Sequence, residues 1–294
     1  MRVWRWLLAI VVVIGLGVAV YLFRPVSGPA RDLTLKADAT HGAYVLALGG
    51  CVACHTDTKN NGEVLAGGAP LVTPFGSFVP PNITPDPEAG IGKWTLAEFS
   101  EALSNGHGPN GHLYPPFPYT SYTKMTDQDL VDLFAALKAV PPVSKRAARS
   151  EIGFPFNIRL ANLAWQNLFF APHRFAPDPA HSAAWNRGAY IVNGPGHCVE
   201  CHSPRNLFGA IEVGRELTGS PKGSVGGRSP PLTPSELKRG LYDEPGLIDT
   251  LKTGFTPGDD ALGGEMAAVV KDSTSQYTDD DRKAVAAYLL GLEQ

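Results

Sequence analysis

Cysteine is scarce in this chain: there are four among 294 residues, all inside two short strings, "CVACH" from Cys51 and "CVECH" from Cys198. A small fold stapled by several disulfides is thereby excluded. Methionine is scarcer, with three; Met1 is the initiator, so only Met125 and Met266 remain for a task that needs a thioether. No strong charge of one sign is present either, since 25 Lys plus Arg against 28 Asp plus Glu leave a net charge of -3. That balance removes the electrostatic footprint of a nucleic-acid binder. Charged residues make up 18% and apolar ones 44%, the proportions of a globular protein, while 32 Gly and 26 Pro announce many turns and long loops. A chain of 294 residues is long enough for two ordinary domains with separate cores.

A single long apolar run occurs, in MRVWRWLLAIVVVIGLGVAVYLFRP, uncharged from Trp6 to Phe23 and bracketed by Arg5 and Arg24. Roughly 18 to 20 apolar residues, at about 1.5 Å of rise each, span the hydrocarbon core of a bilayer. Residues 1–30 are therefore expected to hold a membrane anchor. The run continues to Phe23, past the Gly17-Val18-Ala19 string that resembles a signal-peptide cleavage site. A cleaved signal is the alternative, and under either reading everything after about residue 30 is exported. Arg2 and Arg5 favour a cytoplasmic N-terminus, against which Arg24 and Arg31 weigh. The expected location is the inner membrane, with one N-terminal anchor and the rest of the chain in the periplasm.

The remainder is written twice. "HGAYVLALGGCVACH" and "RGAYIVNGPGHCVECH" align Gly42-Ala43-Tyr44-Val45 with Gly188-Ala189-Tyr190-Ile191, with one extra residue before the second cysteine pair. Farther on, Thr126-Asp127-Gln128-Asp129 matches Thr278-Asp279-Asp280-Asp281, each a Thr with an acid three residues on, as at a helix start. Apolar residues then recur at helical spacing: Leu130, Leu133, Phe134 and Leu137 in one copy, Val285, Tyr288, Leu289 and Leu292 in the other. Between these landmarks two segments starting at Thr84 and Thr233 both open on Thr-Pro, pass an aromatic at Trp94 or Tyr242, and predict a short helix ending at Gly106 or Gly254. The stretch between the copies carries a further predicted helix, Asn157 to Phe170, then the Pro-containing run "APHRFAPDPAH", and is expected to strap one or both copies.

Cys-x-x-Cys alone also serves zinc sites and thiol redox chemistry; the directly following His discriminates. Both sulfurs can form thioethers with the vinyl groups of one haem, and the adjacent His then reaches the iron. Two covalently bound c-type haems are therefore expected, held by Cys51, Cys54 and His55, and by Cys198, Cys201 and His202. A shared zinc would need the two motifs to meet on one metal, and chance occurrence or structural disulfides are the remaining alternatives. Methionine is the expected second axial ligand of an electron carrier, because its thioether favours reduced iron. One Met per copy assigns Met125 to the first iron and Met266 to the second. His107 and His112, in "NGHGPNGH", are rival ligands for the first.

"PNITPDPEAGIGKWT" at Pro81–Thr95, "HLYPPFPYTSYTKMTDQDL" at His112–Leu130 and "LANLAWQNLFF" at Leu160–Phe170 resemble the cytochrome c subunits of bacterial membrane-associated dehydrogenases, such as alcohol and gluconate dehydrogenases. The resemblance covers most of the chain after about residue 38. It implies a mainly α fold: an N-terminal transmembrane helix, then two tandem class I-like cytochrome c domains, 35–142 and 181–294, joined by a helical linker, 143–180. It also implies a partner dehydrogenase as electron donor and quinone, a soluble cytochrome or an oxidase as acceptor. Those subunits typically carry three haems and often a C-terminal anchor, whereas this chain has two motifs and an N-terminal run. Where such subunits can carry Met in "YPxMPY", Phe117 stands here, which leaves ligation to Met125. A subunit of a terminal oxidase is the alternative function. A peroxidase would need an open iron, which two Met ligands deny, and a Cys-ligated thiosulfate enzyme would need a spare Cys. An electron-transfer subunit without a catalytic site of its own is the reading carried forward.

Overall fold

The computed structural model describes residues 2–221 and 227–291. Helices follow in the order α1 (Arg2–Leu22), α2 (Ala39–Leu48), α3 (Cys51–His55), α4 (Leu96–Asn105), α5 (Tyr119–Tyr122), α6 (Asp127–Ala139), α7 (Arg159–Phe169), α8 (Ala183–Asn193), α9 (Cys198–His202), α10 (Pro234–Arg239), α11 (Glu244–Thr253), α12 (Gly264–Asp272) and α13 (Asp279–Gly291). Short strands add β1 (Leu71–Thr73), β2 (Gly76–Phe78), β3 (His107–Gly108), β4 (Gly111–His112) and β5 (Glu151–Ile152). The first, second and fifth form one antiparallel sheet, with Leu71 opposite Phe78 and Gly76 opposite Ile152; the other two pair His107 with His112.

The duplication in sequence is a duplication in space. α2 lies along α6, and α8 lies along α13. Each pair touches backbone to backbone at a glycine: a Cβ on Gly42 would stand 1.9 Å from the Asp132 carbonyl oxygen, and one on Gly188 would stand 1.9 Å from that of Ala284. Val45, Phe99, Leu103, Leu130, Leu133 and Leu137 fill one core. Ile191, Val192, Leu251, Val285, Tyr288 and Leu289 fill the other, which Leu48 of α2 also enters. Phe134 is half-buried, and Leu292 lies outside the described residues.

Local signals placed the helix ends. Thr126 and Thr278 side chains accept from Asp129 and Asp281 backbone N–H at 3.0 and 3.1 Å, caps worth about 1 kcal/mol each. α4 has a full capping box between Thr95 and Glu98 and ends on Gly106 at φ 63°; α11 ends on Gly254 at φ 83°. In the two matching caps the acid does not return to the cap. Asp281 accepts from the Tyr44 hydroxyl at 2.6 Å, while that hydroxyl accepts from Thr278 N–H. The Asp129 carboxylate accepts from the Tyr190 hydroxyl, which accepts in turn from Thr126 N–H. The tyrosine of each copy thus completes the helix start of the other.

α1 has no buried residue. Its end is fastened to α7: Tyr21 Oη donates to the Asn167 carbonyl at 3.1 Å, Arg24 Nε donates to Asn167 Oδ1 at 2.9 Å, and Asn167 Nδ2 donates to the Leu22 carbonyl. The helix expected at Asn157–Phe170 is α7, and it touches both copies. Gln166 Nε2 donates to the Gly106 carbonyl, Trp165 Nε1 donates to that of Phe208, and Phe169 stacks on Phe208.

Gly188→Ala should force apart the helix pair it joins and lower stability by about 1–3 kcal/mol. Gly153→Ala, where nothing lies within 4 Å of the added carbon, should stay within about 0.5 kcal/mol. Thermal unfolding of the two variants gives the comparison; equal midpoints would refute the close crossing.

Candidate haem sites

Both Cys-x-x-Cys-His strings form single-turn helices entered through a left-handed residue. Gly50 at φ 58° opens α3, and His197 at φ 40° opens α9. The extra residue of the second copy is absorbed in the Gly194–His197 turn. After each histidine the backbone repeats itself. Thr56 and Ser203 hydroxyls accept from Leu65 and Leu217 N–H, both leucines at φ near 60°. Gly67 N–H and Gly219 N–H bond the carbonyls of His55 and His202. Ile83 N–H and Leu232 N–H bond the carbonyls of Leu65 and Leu217.

This scaffold presents one carbonyl to each imidazole. His55 Nδ1 lies 2.7 Å from the Pro81 carbonyl oxygen and His202 Nδ1 lies 2.7 Å from that of Pro230. A carbonyl only accepts, so Nδ1 carries the proton and Nε2 keeps its lone pair. A hydrogen bond of this kind, made on the far side of the ring, orients an imidazole toward a metal. Burial lowers both imidazole pKa values, which favours the neutral, ligating form. The carbonyls come from "PPNIT" and "PPLT", and an alignment anchored on Thr84 and Thr233 brings their Pro pairs into near register.

A cavity of about 1810 Å³ is lined by Cys51, Cys54, His55, Trp94, Leu113 and Met125 among others. Ordinary small-molecule pockets measure about 300–1,000 Å³, so this one has room for a macrocycle. Met125 is 1% exposed, and its turn is held by Arg31, whose guanidinium donates to the Thr123 and Met125 carbonyls and pairs with Asp127 at 3.1 Å. The second copy contributes walls too: Cys201, Glu200, Arg205, Glu265, Ala268 and Val269 line the same space. Burial pushes the Cys51 and Cys198 thiols up to about 12, and burial with neighbouring Cys201 and Glu265 pushes Cys54 up to about 11. Catalytic thiol redox motifs need the reverse, a depressed thiol pKa. Among the described residues no group of three or more His, Cys, Asp or Glu is placed to hold a metal ion. Two sulfurs beside a neutral imidazole, a buried thioether and an apolar cavity fit a covalently held haem.

Met266 is placed differently. It is half-buried in α12, a helix that lies against α3 of the other copy and turns Glu265, Ala268 and Val269 toward the large cavity. Met266 is not among the described residues lining that cavity. His107 and His112 pair with each other across the β3–β4 hairpin, and His112 Nδ1 meets Gln166 Oε1 at 2.8 Å. Neither is among the described residues lining the cavity, although Gly108, Asn110 and Leu113 beside them are. Sequence reasoning missed Pro81, Pro230, Arg31 and Glu200; of these only the twin Pro pairs left a visible repeat.

His107→Ala and His112→Gln should leave the haem absorption bands and both midpoint potentials unchanged, because neither ring reaches the cavity. A shifted band in either variant, checked by spectroelectrochemical titration, would return that histidine to the ligand set.

No family model matches the chain. Relatives do. It is 41% identical over 292 residues to a diheme cytochrome c-type protein of Cereibacter sphaeroides, covering 96% of this chain and 95% of that one. It is 40% identical over 271 residues to a nicotinate dehydrogenase subunit of Pseudomonas putida, covering 92% of this chain and 22% of that one. It is 38% identical over 283 residues to the cytochrome c subunit of the quinone-dependent alcohol dehydrogenase of Gluconacetobacter polyoxogenes, covering 92% of this chain and 60% of that one. The chain therefore spans less than two thirds of either dehydrogenase relative and nearly all of the Cereibacter protein. With that identity over 96% of this chain and 95% of the Cereibacter protein, the chain belongs to the dihaem c-type cytochromes, electron-transport proteins that carry two covalently bound c-type haems.

Proposed function

We propose that the chain is a membrane-anchored relay passing electrons from a partner dehydrogenase to a respiratory acceptor. Residues 35–142 and 181–294 form its two cytochrome domains, and 143–180 join them. The relatives named as dehydrogenase subunits support the choice of donor. α1, long and apolar enough to cross a bilayer with none of its residues buried, supports an inner-membrane anchor with the haem domains in the periplasm. Quinone, a soluble cytochrome or an oxidase would take the electrons.

In this reading Cys51 and Cys54 attach the first haem and Cys198 and Cys201 the second, with His55 and His202 as proximal ligands. Met125 completes the first site and Met266 the second. The carrying observation is the pair of imidazoles, each with Nδ1 satisfied by a proline carbonyl at 2.7 Å. Such a bond fixes ring orientation and raises ligand basicity. When bound, a haem with His and Met ligands supplies one-electron chemistry at a raised potential. The first cavity is lined mostly by apolar side chains, and Arg31 holds the Met125 turn in place.

Pyridine haemochrome analysis should give two haems per chain that resist acid-acetone extraction; extractable haem would refute thioether attachment. Met125→Leu and Met266→Leu should each cost below about 1.5 kcal/mol and each create a carbon monoxide site absent from the unaltered protein. Carbon monoxide binding by the unaltered reduced protein would replace the relay by a catalytic reading. Isolated with its partner, the protein should be reduced on addition of the partner's substrate; reduction by no dehydrogenase substrate would remove the proposed donor.

A further inference from the structure

The two attachment motifs differ by one telling residue. Ala53 occupies the second x of the first motif, and Glu200 occupies it in the second. An alanine is thus compatible with the local turn, yet the second motif carries a carboxylate that is 6% exposed. Taking such a charge out of water costs several kcal/mol unless it is paired and hydrogen-bonded. It is both. Arg205 donates to Glu200 Oε2 at 2.7 Å, and the hydroxyls of Thr120 and Ser121 both donate to Oε1, the latter at 2.8 Å. Arg205 belongs to the second copy. Thr120 and Ser121 belong to α5 of the first, in the turn that runs on through Tyr122 and Thr123 to Met125, where Met125 N–H bonds the Tyr122 carbonyl at 2.9 Å.

One oxygen of this carboxylate thus serves its own copy and the other serves the first, so the cost of burying the charge is offset in part by bonds that hold the first site. Lys124 adds a third contact between the copies in the same turn, donating to the Asn193 carbonyl at 3.2 Å. Glu200 and Arg205 also line the cavity beside Cys54 and Cys201. We propose that Glu200 couples the two haem sites: carried by the second attachment motif, its carboxylate positions the Met125 turn of the first and places a buried negative charge within reach of both. It is a positioning residue for Met125 and an electrostatic one for both irons, since a nearby negative charge favours the oxidised state. This inference rests on the ligand assignment proposed above.

The test uses full-length protein and redox titrations that resolve the two haems, with haem content measured first. Glu200→Gln keeps an oxygen for Thr120 and Ser121 but removes the charge; both midpoint potentials should rise, the first although the substitution lies in the second motif. Thr120→Val with Ser121→Ala keeps the charge and its Arg205 partner but frees the turn. The methionine–iron charge-transfer band and the potential of the first haem should then change while the second haem keeps its potential. If Glu200→Gln shifts only the second haem, or if the double variant leaves the first haem unaltered with both haems attached, the coupling is refuted. Should Glu200→Gln lose haem through misfolding, the double variant decides alone. Met125→Leu in parallel separates the two readings. An unchanged first haem there would sink the ligand assignment and the positioning role with it, while the charge effect of Glu200→Gln would still be read in the potentials.

Discussion

Two backbone contacts, Gly42 on Asp132 and Gly188 on Ala284, set the geometry on which the rest depends. A helix turns by about 100° per residue. With the glycine against its partner helix, the residue three later points back to the same side: Val45 and Ile191 sit there, fully buried in their own cores. The residue two later points away. That residue is Tyr44 or Tyr190, and the surface it meets is the other copy, where Thr278 with Asp281 and Thr126 with Asp129 receive it. Leu48, six residues after Gly42, faces the same way and enters the second core. One close crossing in each copy therefore fixes both the fold of that copy and the surface by which it joins its twin.

The same crossing determines where the cysteines begin. α2 and α8 end one short turn before the attachment strings, so the two strings emerge at the seam between the copies. Gly49, in that turn, gives its carbonyl to Tyr122 at 3.1 Å and to His197 Nε2 at 3.2 Å; the Leu48 carbonyl takes the Tyr277 hydroxyl at 3.1 Å. Three side chains from beyond α2 thus pin the approach to Cys51, and one of them, His197, directly precedes Cys198. These contacts bring the two Cys-x-x-Cys-His strings together across the seam between the copies.

Much of this was legible in the sequence because it follows local rules. Thr126, Thr278, Gly106 and Gly254 mark helix ends through their own hydroxyl or their own tolerance of positive φ, and each stands at the boundary read from it. The two Cys-x-x-Cys-His strings stand out in the sequence because the proposed attachment chemistry uses contiguous residues, and both fold into matching single-turn helices. The rest depends on contacts between segments far apart in the chain. Nothing about leucine announces the left-handed conformation at Leu65 and Leu217, which is held by a hydroxyl that accepts from the leucine N–H and a distant backbone N–H that donates to its carbonyl. The acids of the Thr-x-x-Asp caps read as capping partners, yet neither returns to its own cap as Glu98 does, and each accepts from a tyrosine of the other copy.

Duplication did not leave two equal sites. The first cavity takes walls from both copies, and Met125 is buried within it; Met266 rides on α12, a helix of more than two turns where the first copy has only the single turn of α5, and stays half-buried. The turn bearing Met125 is also gripped from far away in the chain. Arg31 reaches it from the segment just after α1, and Thr120 and Ser121 bind Glu200 from α9. Arg174, which follows α7, donates to the same Asp127 that Arg31 pairs with. Because α7 is itself tied through Asn167 to the end of α1, the segment that leaves the proposed anchor and the segment that joins the copies converge on one methionine turn. The Met125 turn is therefore held by groups from before the first copy, between the copies and within the second, so its geometry depends on contacts spread along the chain rather than on its own copy alone.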